Sequence, residues 1–339
     1  MSGVRVAVVG YGVIGKRVAD AVAAQPDMEL AGICDVSADH RIRVAVDRGA
    51  TLFAAADPER TRMQLAGLPV QGVLSDLLAE VDVAVDCTPK RVAATNREAY
   101  RAHGVRAIFQ GGESHDLTGH SFVAQANFAS ARGLRSTRVV SCNTTATVRV
   151  LHALSPLHIR RARGVLIRRA TDPWESHLGG IMNTIVPEPH IPSHQSVDAN
   201  TILEGMDIVT MACKVSQTLS HLHYWWLDLE RNADRDQVID LLRRAPRIAL
   251  LEASAGLGAL NAVLELTRDL GRPRGDLWEV ALWHDVVHVS GSEVFLCHQV
   301  DNQAIVVPEN IDAVRALMDI CDGAASIERT NAAMGIDRW

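Results

Sequence analysis

The sequence predicts an α/β protein in two parts: a doubly wound parallel sheet, then an α+β domain with a mainly antiparallel sheet. Three observations predict it. Short β-rich runs alternate with helical patterns through the first 140 residues, and a glycine-rich turn joins the first run to the first helix. Beyond residue 140 the strand-like segments follow one another with fewer helices between them. The length of 339 residues suits two domains, because single cores stop growing near about 250–300 residues.

Val4-Arg5-Val6-Ala7-Val8-Val9 reads as a buried strand, and residues 15–25 as a helix with Ile14, Val18 and Val22 on one face. Further strands fit Glu29–Cys34, Val81–Asp86, Arg106–Gln110 and Thr137–Ser141. A helix is predicted from Asn143 to about Ala153. Strands then fit residues 163–169, 206–213, 219–229, 280–289 and 293–300, with helices over Asp236–Arg244 and Leu257–Leu270. Ile185–Pro192 carries three prolines and reads as a loop. Pro308 and Glu309 open a final helix over 309–325, whose apolar face is Ile311, Val314, Leu317, Met318 and Cys321.

Composition excludes several classes. Hydrophobic residues at 47% and charged residues at 22% rule out a disordered or fibrous chain. A net charge of -6 without a long basic run argues against a nucleic-acid or membrane-surface partner. No apolar run reaches the length of a membrane span and no targeting pattern is present, which makes the cytoplasm the expected location. The six cysteines form no CxxC pair, so neither a zinc ribbon nor a disulfide scaffold is indicated, and no metal site is expected.

Gly10-Tyr11-Gly12-Val13-Ile14-Gly15 is a GxGxxG turn lying between a strand and a helix, the context of a Rossmann-type dinucleotide site. Gly10 permits the tight turn, Gly12 lets backbone approach a pyrophosphate, and Gly15 allows close helix–strand packing. The helix N-terminus adds unpaired N–H groups and the positive end of its dipole. Asp35 ends the second strand, twenty residues after Gly15. A carboxylate there can accept both ribose hydroxyls and repels a 2′-phosphate, so NAD is preferred over NADP.

Ser141-Cys142-Asn143-Thr144-Thr145 sits between a strand and a helix. A thiolate at a helix N-terminus is favoured by the dipole and the free N–H groups, which is what a nucleophile requires. The other five cysteines, Cys34, Cys87, Cys213, Cys297 and Cys321, lie in apolar runs and read as small buried hydrophobes. A nucleophilic thiol beside a nicotinamide points to aldehyde oxidation through a thioester, with a histidine as the expected base. Fourteen histidines are present, and local pattern does not choose among them.

On these residues the chain resembles the archaeal-type (type II) phosphorylating glyceraldehyde-3-phosphate dehydrogenases over essentially its whole length. The resemblance rests on Gly10–Asp20, Gln25–Met28, Phe109–Glu113, Val139–Thr145, Arg168–Ala170 and Ile305–Asp312. It implies a cofactor domain over 1–140, a catalytic domain over 141–305, and a tail over 306–339 that packs back on the first domain. It implies Cys142 as nucleophile, Ser141 and Asn143 lining the aldehyde site, and His221 of Thr218-Leu219-Ser220-His221-Leu222-His223 as general base. His223 shares a side of that strand and reads as a supporting or packed histidine.

By the same resemblance Val13, Ile14, Gly111, Arg169 and Gln303 contact the cofactor. Inorganic phosphate is the implied acyl acceptor and a homotetramer the implied assembly. The substrate pair falls on His194 and Gln195, where Gln195 replaces the family's second histidine. No lysine occurs between Thr171 and Leu178, where many members carry some. These departures keep a second substrate reading open: another small anionic aldehyde, phosphorylated, phosphonylated or sulfonylated. A non-catalytic NAD-binding sensor is the reading from another class. Retention of Cys142, Asn143, Arg169 and His221 together argues against it.

Overall fold

A strand buried on both faces is an unbroken apolar run, and β1 (Val4–Val9) is one, with Val6, Ala7 and Val8 fully buried. The computed structural model describes residues 3–110 and 112–336, which fall into two compact units. The first takes residues up to Val140 together with Val307–Gly335, and the second takes Ser141–Val306 and Ile336. No helix among the described residues is long and apolar enough to cross a membrane.

The first unit holds one parallel sheet. Its other strands are β2 (Met28–Asp35), β3 (Leu52–Ala54), β4 (Val70–Val73), β5 (Val83–Asp86), β6 (Arg106–Phe109), β7 (Ser121–Phe122) and β8 (Ser136–Val139). Their spatial order is β4-β3-β2-β1-β5-β6-β8-β7. The winding reverses between β1 and β5, and ligands of such sheets bind beyond the C-terminal strand ends at that reversal. β3, β4 and β7 are two to four residues long, too short to show a period in sequence. The first helix is Val13–Ala23 and begins two residues before the predicted start. Gly15, Arg17, Val18, Ala19, Ala21 and Val22 are its buried residues, whereas Ile14 stays partly exposed.

Two helices stand where the sequence predicts one at the C-terminus: Val307–Met318 and Gly323–Met334. The break falls at Asp319, whose φ is +53°, and Asp322 caps the second helix by accepting from Ala325 N at 2.9 Å. Cys321 therefore lies between the helices and not on an apolar face. The first of the pair is buried all round, including Glu309, Asn310, Asp312 and Arg315. Each is hydrogen-bonded within the unit. Glu309 accepts from Ala124 N at 2.7 Å, and Asn310 donates to Gln110 Oε1 at 2.6 Å. Arg315 grips both carboxylate oxygens of Asp27 at 2.7 and 2.8 Å. That pairing holds the Asp27 carboxyl below its ordinary pKa.

The second unit is built on a mixed sheet of β9 (Ile159–Arg169), β10 (Ile185–Pro187), β11 (Ile208–Val215), β12 (His221–Leu229), β13 (Ile248–Leu251), β14 (Val280–Trp283), β15 (His288–Ser290) and β16 (Glu293–Val300). The order is β10-β11-β9-β12-β16-β14-β13, with β15 on β16. Five pairings are antiparallel, and two, β9 with β11 and β13 with β14, are parallel. Part of the supposed loop 185–192 is thus the short strand β10. The predicted strand 280–289 is interrupted by a turn at His284–Val286, and β13 is a four-residue apolar run without a readable period. Along β12, His221, His223, Trp225, Leu227 and Leu229 face inward, while Tyr224 and Trp226 face out.

Candidate active site

The glycine turn in the first unit has the shape of a phosphate cradle. Gly10 has φ of +88°, and a Cβ there would stand 2.9 Å from backbone of Cys87 and Thr88. A Cβ on Gly15 would meet Gly10 O at 1.8 Å, whereas Gly12 faces open space. Gly12 is the N-cap of Val13–Ala23, with no side-chain cap and no acidic residue in the first turn. The helix N–H groups are therefore not occupied by a side chain of the turn, which fits a pyrophosphate. Val13 and Ile14 stay partly exposed at the same helix start. Gly111 lies outside the described residues.

Asp35 sits at the end of β2, but its carboxylate serves the backbone. Oδ2 accepts from Tyr11 N at 2.6 Å; Oδ1 accepts from Val36 N at 2.8 Å and Ser37 N at 2.7 Å. A carboxylate offers about four acceptor positions, so three of them are taken. One remains for a ribose hydroxyl, not the two foreseen.

In the second unit, Ser141 caps the helix Cys142–Ala153, its Oγ accepting from Thr144 N and lying 2.9 Å from Thr144 Oγ1. This sets Cys142 in the first turn, partly exposed, with its sulfur accepting from the Asn143 backbone N–H. Cys142 Sγ lies 3.4 Å from His221 Nε2. β9 and β12 run antiparallel side by side, which brings Arg169 N to His221 Nδ1 at 3.0 Å. Because Nδ1 accepts that backbone N–H, the single proton of a neutral ring sits on Nε2. The ring is neutral, since burial and then the charges of Arg169 and Arg168 push its pKa well below 6.5. His221 consequently offers the sulfur a donor.

Burial pushes the Cys142 thiol up to about 11, against the smaller opposing pull of Arg169, the Asn143 N–H and Arg168. The helix-terminal help foreseen from the sequence is present, but desolvation outweighs it. Burial also raises the thiols of Cys34, Cys87, Cys297 and Cys321.

Sequence reasoning missed Asp172. Its Oδ1 lies 3.2 Å from Arg169 Nη2 and accepts from Asn302 Nδ2 at 2.7 Å and Gln303 Nε2 at 3.2 Å. Arg169 and Gln303, far apart in the chain, are gathered by this carboxylate, and nothing in the local sequence signals it. The structure does not bring the His194 and Gln195 side chains together. The His194 side chain is 54% exposed and lies 3.3 Å from Glu188, which also binds Arg168 at 2.6 Å. Gln195 is fully buried, its Oε1 accepting from Ser193 Oγ at 2.6 Å and its Nε2 without a partner among the described residues.

Comparisons with known proteins agree in both halves. A family model described as the N-terminus of dihydrodipicolinate reductase matches residues 4–112. Another, described as the glyceraldehyde 3-phosphate dehydrogenase C-terminal domain, matches residues 141–270. Curated relatives named glyceraldehyde-3-phosphate dehydrogenase match almost end to end. One from Methanobrevibacter smithii is 42% identical over 98% of this chain and 99% of its own length. One from Metallosphaera sedula is 43% identical over 99% and 98%. One from Halobacterium salinarum is 44% identical over 98% and 100%.

Proposed function

The chain belongs to the archaeal-type glyceraldehyde-3-phosphate dehydrogenase family, and on that premise we propose that Cys142 and His221 carry out phosphorylating oxidation of glyceraldehyde 3-phosphate. The observation that carries this reading is the 3.4 Å approach of His221 Nε2 to Cys142 Sγ at a helix start. The Cys142 thiolate adds to the aldehyde carbon, and the carbonyl π pair moves onto oxygen. His221 Nε2–H, freed from the sulfur, donates to that oxyanion. A nicotinamide cofactor held at the Gly10–Gly15 turn would supply the two-electron acceptor for oxidation of this adduct to the thioester. Inorganic phosphate then adds to the thioester, the C–S bond breaks, and His221 donates again to the departing thiolate. The one proton lost is the thiol's own, released when Cys142 ionises. Arg168 and Arg169 supply the positive field that favours that ionisation and receives an anionic substrate.

The second reading, another small anionic aldehyde, is favoured by the burial of Gln195 and the absence of lysine over 171–178. Steady-state rates with glyceraldehyde 3-phosphate, a phosphonate analogue and a sulfonated aldehyde decide between them. Saturable, phosphate-dependent turnover of glyceraldehyde 3-phosphate is expected, and its absence alongside turnover of another aldehyde defeats the main proposal.

NAD is the proposed cofactor, in preference to NADP, on the support of the Asp35 carboxylate beside the Tyr11 turn. Replacing it, Asp35→Ser, is expected to shift the NADP/NAD ratio of kcat/KM toward NADP by about tenfold, the worth of one charge near a phosphate. Equal use of both cofactors by the unchanged protein refutes the preference. A homotetramer belongs to the same proposal. Its support is the outer face of the second sheet, where Val165, Met211, Tyr224, Trp226 and Phe295 are exposed together around a cavity of ≈ 460 Å³.

A further inference from the structure

His223, unassigned by the reaction just described, lies against a buried hydrogen bond whose direction is fixed. An indole N–H can only donate, and Trp225 Nε1 reaches His298 Nε2 at 3.2 Å. His298 is fully buried, and burial lowers its pKa to about 3, so it is neutral with its proton on Nδ1. Across the strand pair, His298 faces His223, ring centroids 4.8 Å apart. Nδ1 of each ring is sealed and without a partner among the described residues.

A proton on His223 Nδ1 would leave a second sealed donor unmet beside that of His298 and would set the Nε2 lone pair against the Asn143 oxygen. A proton on Nε2 instead gives Asn143 Oδ1 a donor at 2.8 Å. The Asn143 carboxamide is thereby turned with its oxygen toward His223. Its nitrogen makes no hydrogen bond among the described residues and is not one of the sealed atoms. Asn143 directly follows Cys142, and its backbone N–H already donates to the sulfur.

We infer that His223 is a positioning residue: it holds the oxygen of the Asn143 carboxamide, leaving the –NH2 as a second donor, beside His221, to the oxyanion formed on the aldehyde. Trp225 fixes the tautomer of His298, whose ring packs against His223. The inference rests on the aldehyde-oxidising reading.

The test compares wild type with His223→Phe, His223→Gln, Asn143→Leu and the Phe/Leu double variant, using glyceraldehyde 3-phosphate, NAD and inorganic phosphate. Loss of one oxyanion donor is expected to lower kcat about 100-fold in His223→Phe and in Asn143→Leu, with KM for the aldehyde little changed. The double variant loses no more than either single one. Glutamine, whose amide can donate in place of Nε2–H, recovers most of the rate. Iodoacetamide labels Cys142 in His223→Phe at the wild-type rate, because the thiol is not what His223 serves.

Additive losses, a glutamine variant as slow as the phenylalanine one, or unchanged kcat in a folded His223→Phe each overturn the inference. Should His223→Phe not fold, unchanged kcat in Asn143→Leu overturns it alone, and a loss there that His223→Gln does not share upholds it. Wild type that turns over no aldehyde brings down the parent reading instead.

Discussion

Replacing Cys142 by serine is expected to reduce aldehyde oxidation by at least about 10⁴-fold while leaving the fold intact, in the range seen when a catalytic nucleophile is removed. Serine is nearly the same size and keeps the Asn143 N–H acceptor, but its hydroxyl hardly ionises at neutral pH. The direct check is mass spectrometry of the acid-quenched protein after exposure to aldehyde and NAD without phosphate. Wild type should gain one acyl group, on the peptide holding Cys142, and Cys142→Ser none. An adduct on any other cysteine would remove Cys142 from its role. The pH dependence has a definite sign. The thiol pKa is raised, to about 11, so the thiolate is the minor form at neutral pH. Its alkylation by iodoacetamide should accelerate about tenfold per pH unit until that value is approached.

Removing the imidazole in His221→Ala is expected to lower kcat by about 10²–10³-fold, the usual effect of losing one preorganised donor. The companion variant His221→Gln separates a donor from a base. Glutamine can donate to sulfur and oxyanion but cannot take up a proton, so partial recovery supports the Nε2–H assignment. A glutamine variant as slow as alanine would show that proton abstraction is the essential task, and that the Arg169 N–H contact at 3.0 Å must open during turnover. The ring's pKa is depressed, so its neutral, donating form persists as pH falls through 6.5. An acid limb titrating near 6.5 therefore cannot be assigned to His221.

The parts of the protein that were readable in sequence are those whose meaning is local. Gly10, Gly12 and Gly15 announce a turn because each requirement is set by backbone within a few residues. Cys142 stands out because the strand before it and the helix after it are both legible. His221 has no such mark among fourteen histidines; only a whole-chain resemblance picks it out. Asp172 gathers Arg169, Asn302 and Gln303 through pairings that exist only once the second sheet has formed. The same holds for the alignment of Trp225, His298 and His223, which depends on the register of β12 against β16. In the tail, Ile311, Val314 and Leu317 trace a plausible apolar stripe. The buried Glu309, Asp312 and Arg315 look like its solvent face until Ala124, Ser326 and Asp27 meet them.

The first unit is assembled from two stretches of chain separated by the whole of the second, which has a consequence during synthesis. The sheet of β1 to β8 leaves the ribosome before the second unit is made. Val307–Met318, which packs on Val13–Ala23, Ala124–Ala131, β6 and β8, follows only after residues 141–306. Until then the apolar surface it covers stays open and Asp27 lacks Arg315. The second unit, nearly all of it the single stretch Ser141–Val306, can close on itself first. A nascent chain thus carries an unfinished nucleotide domain throughout the synthesis of residues 141–306, and that is the interval in which aggregation or chaperone capture competes with folding.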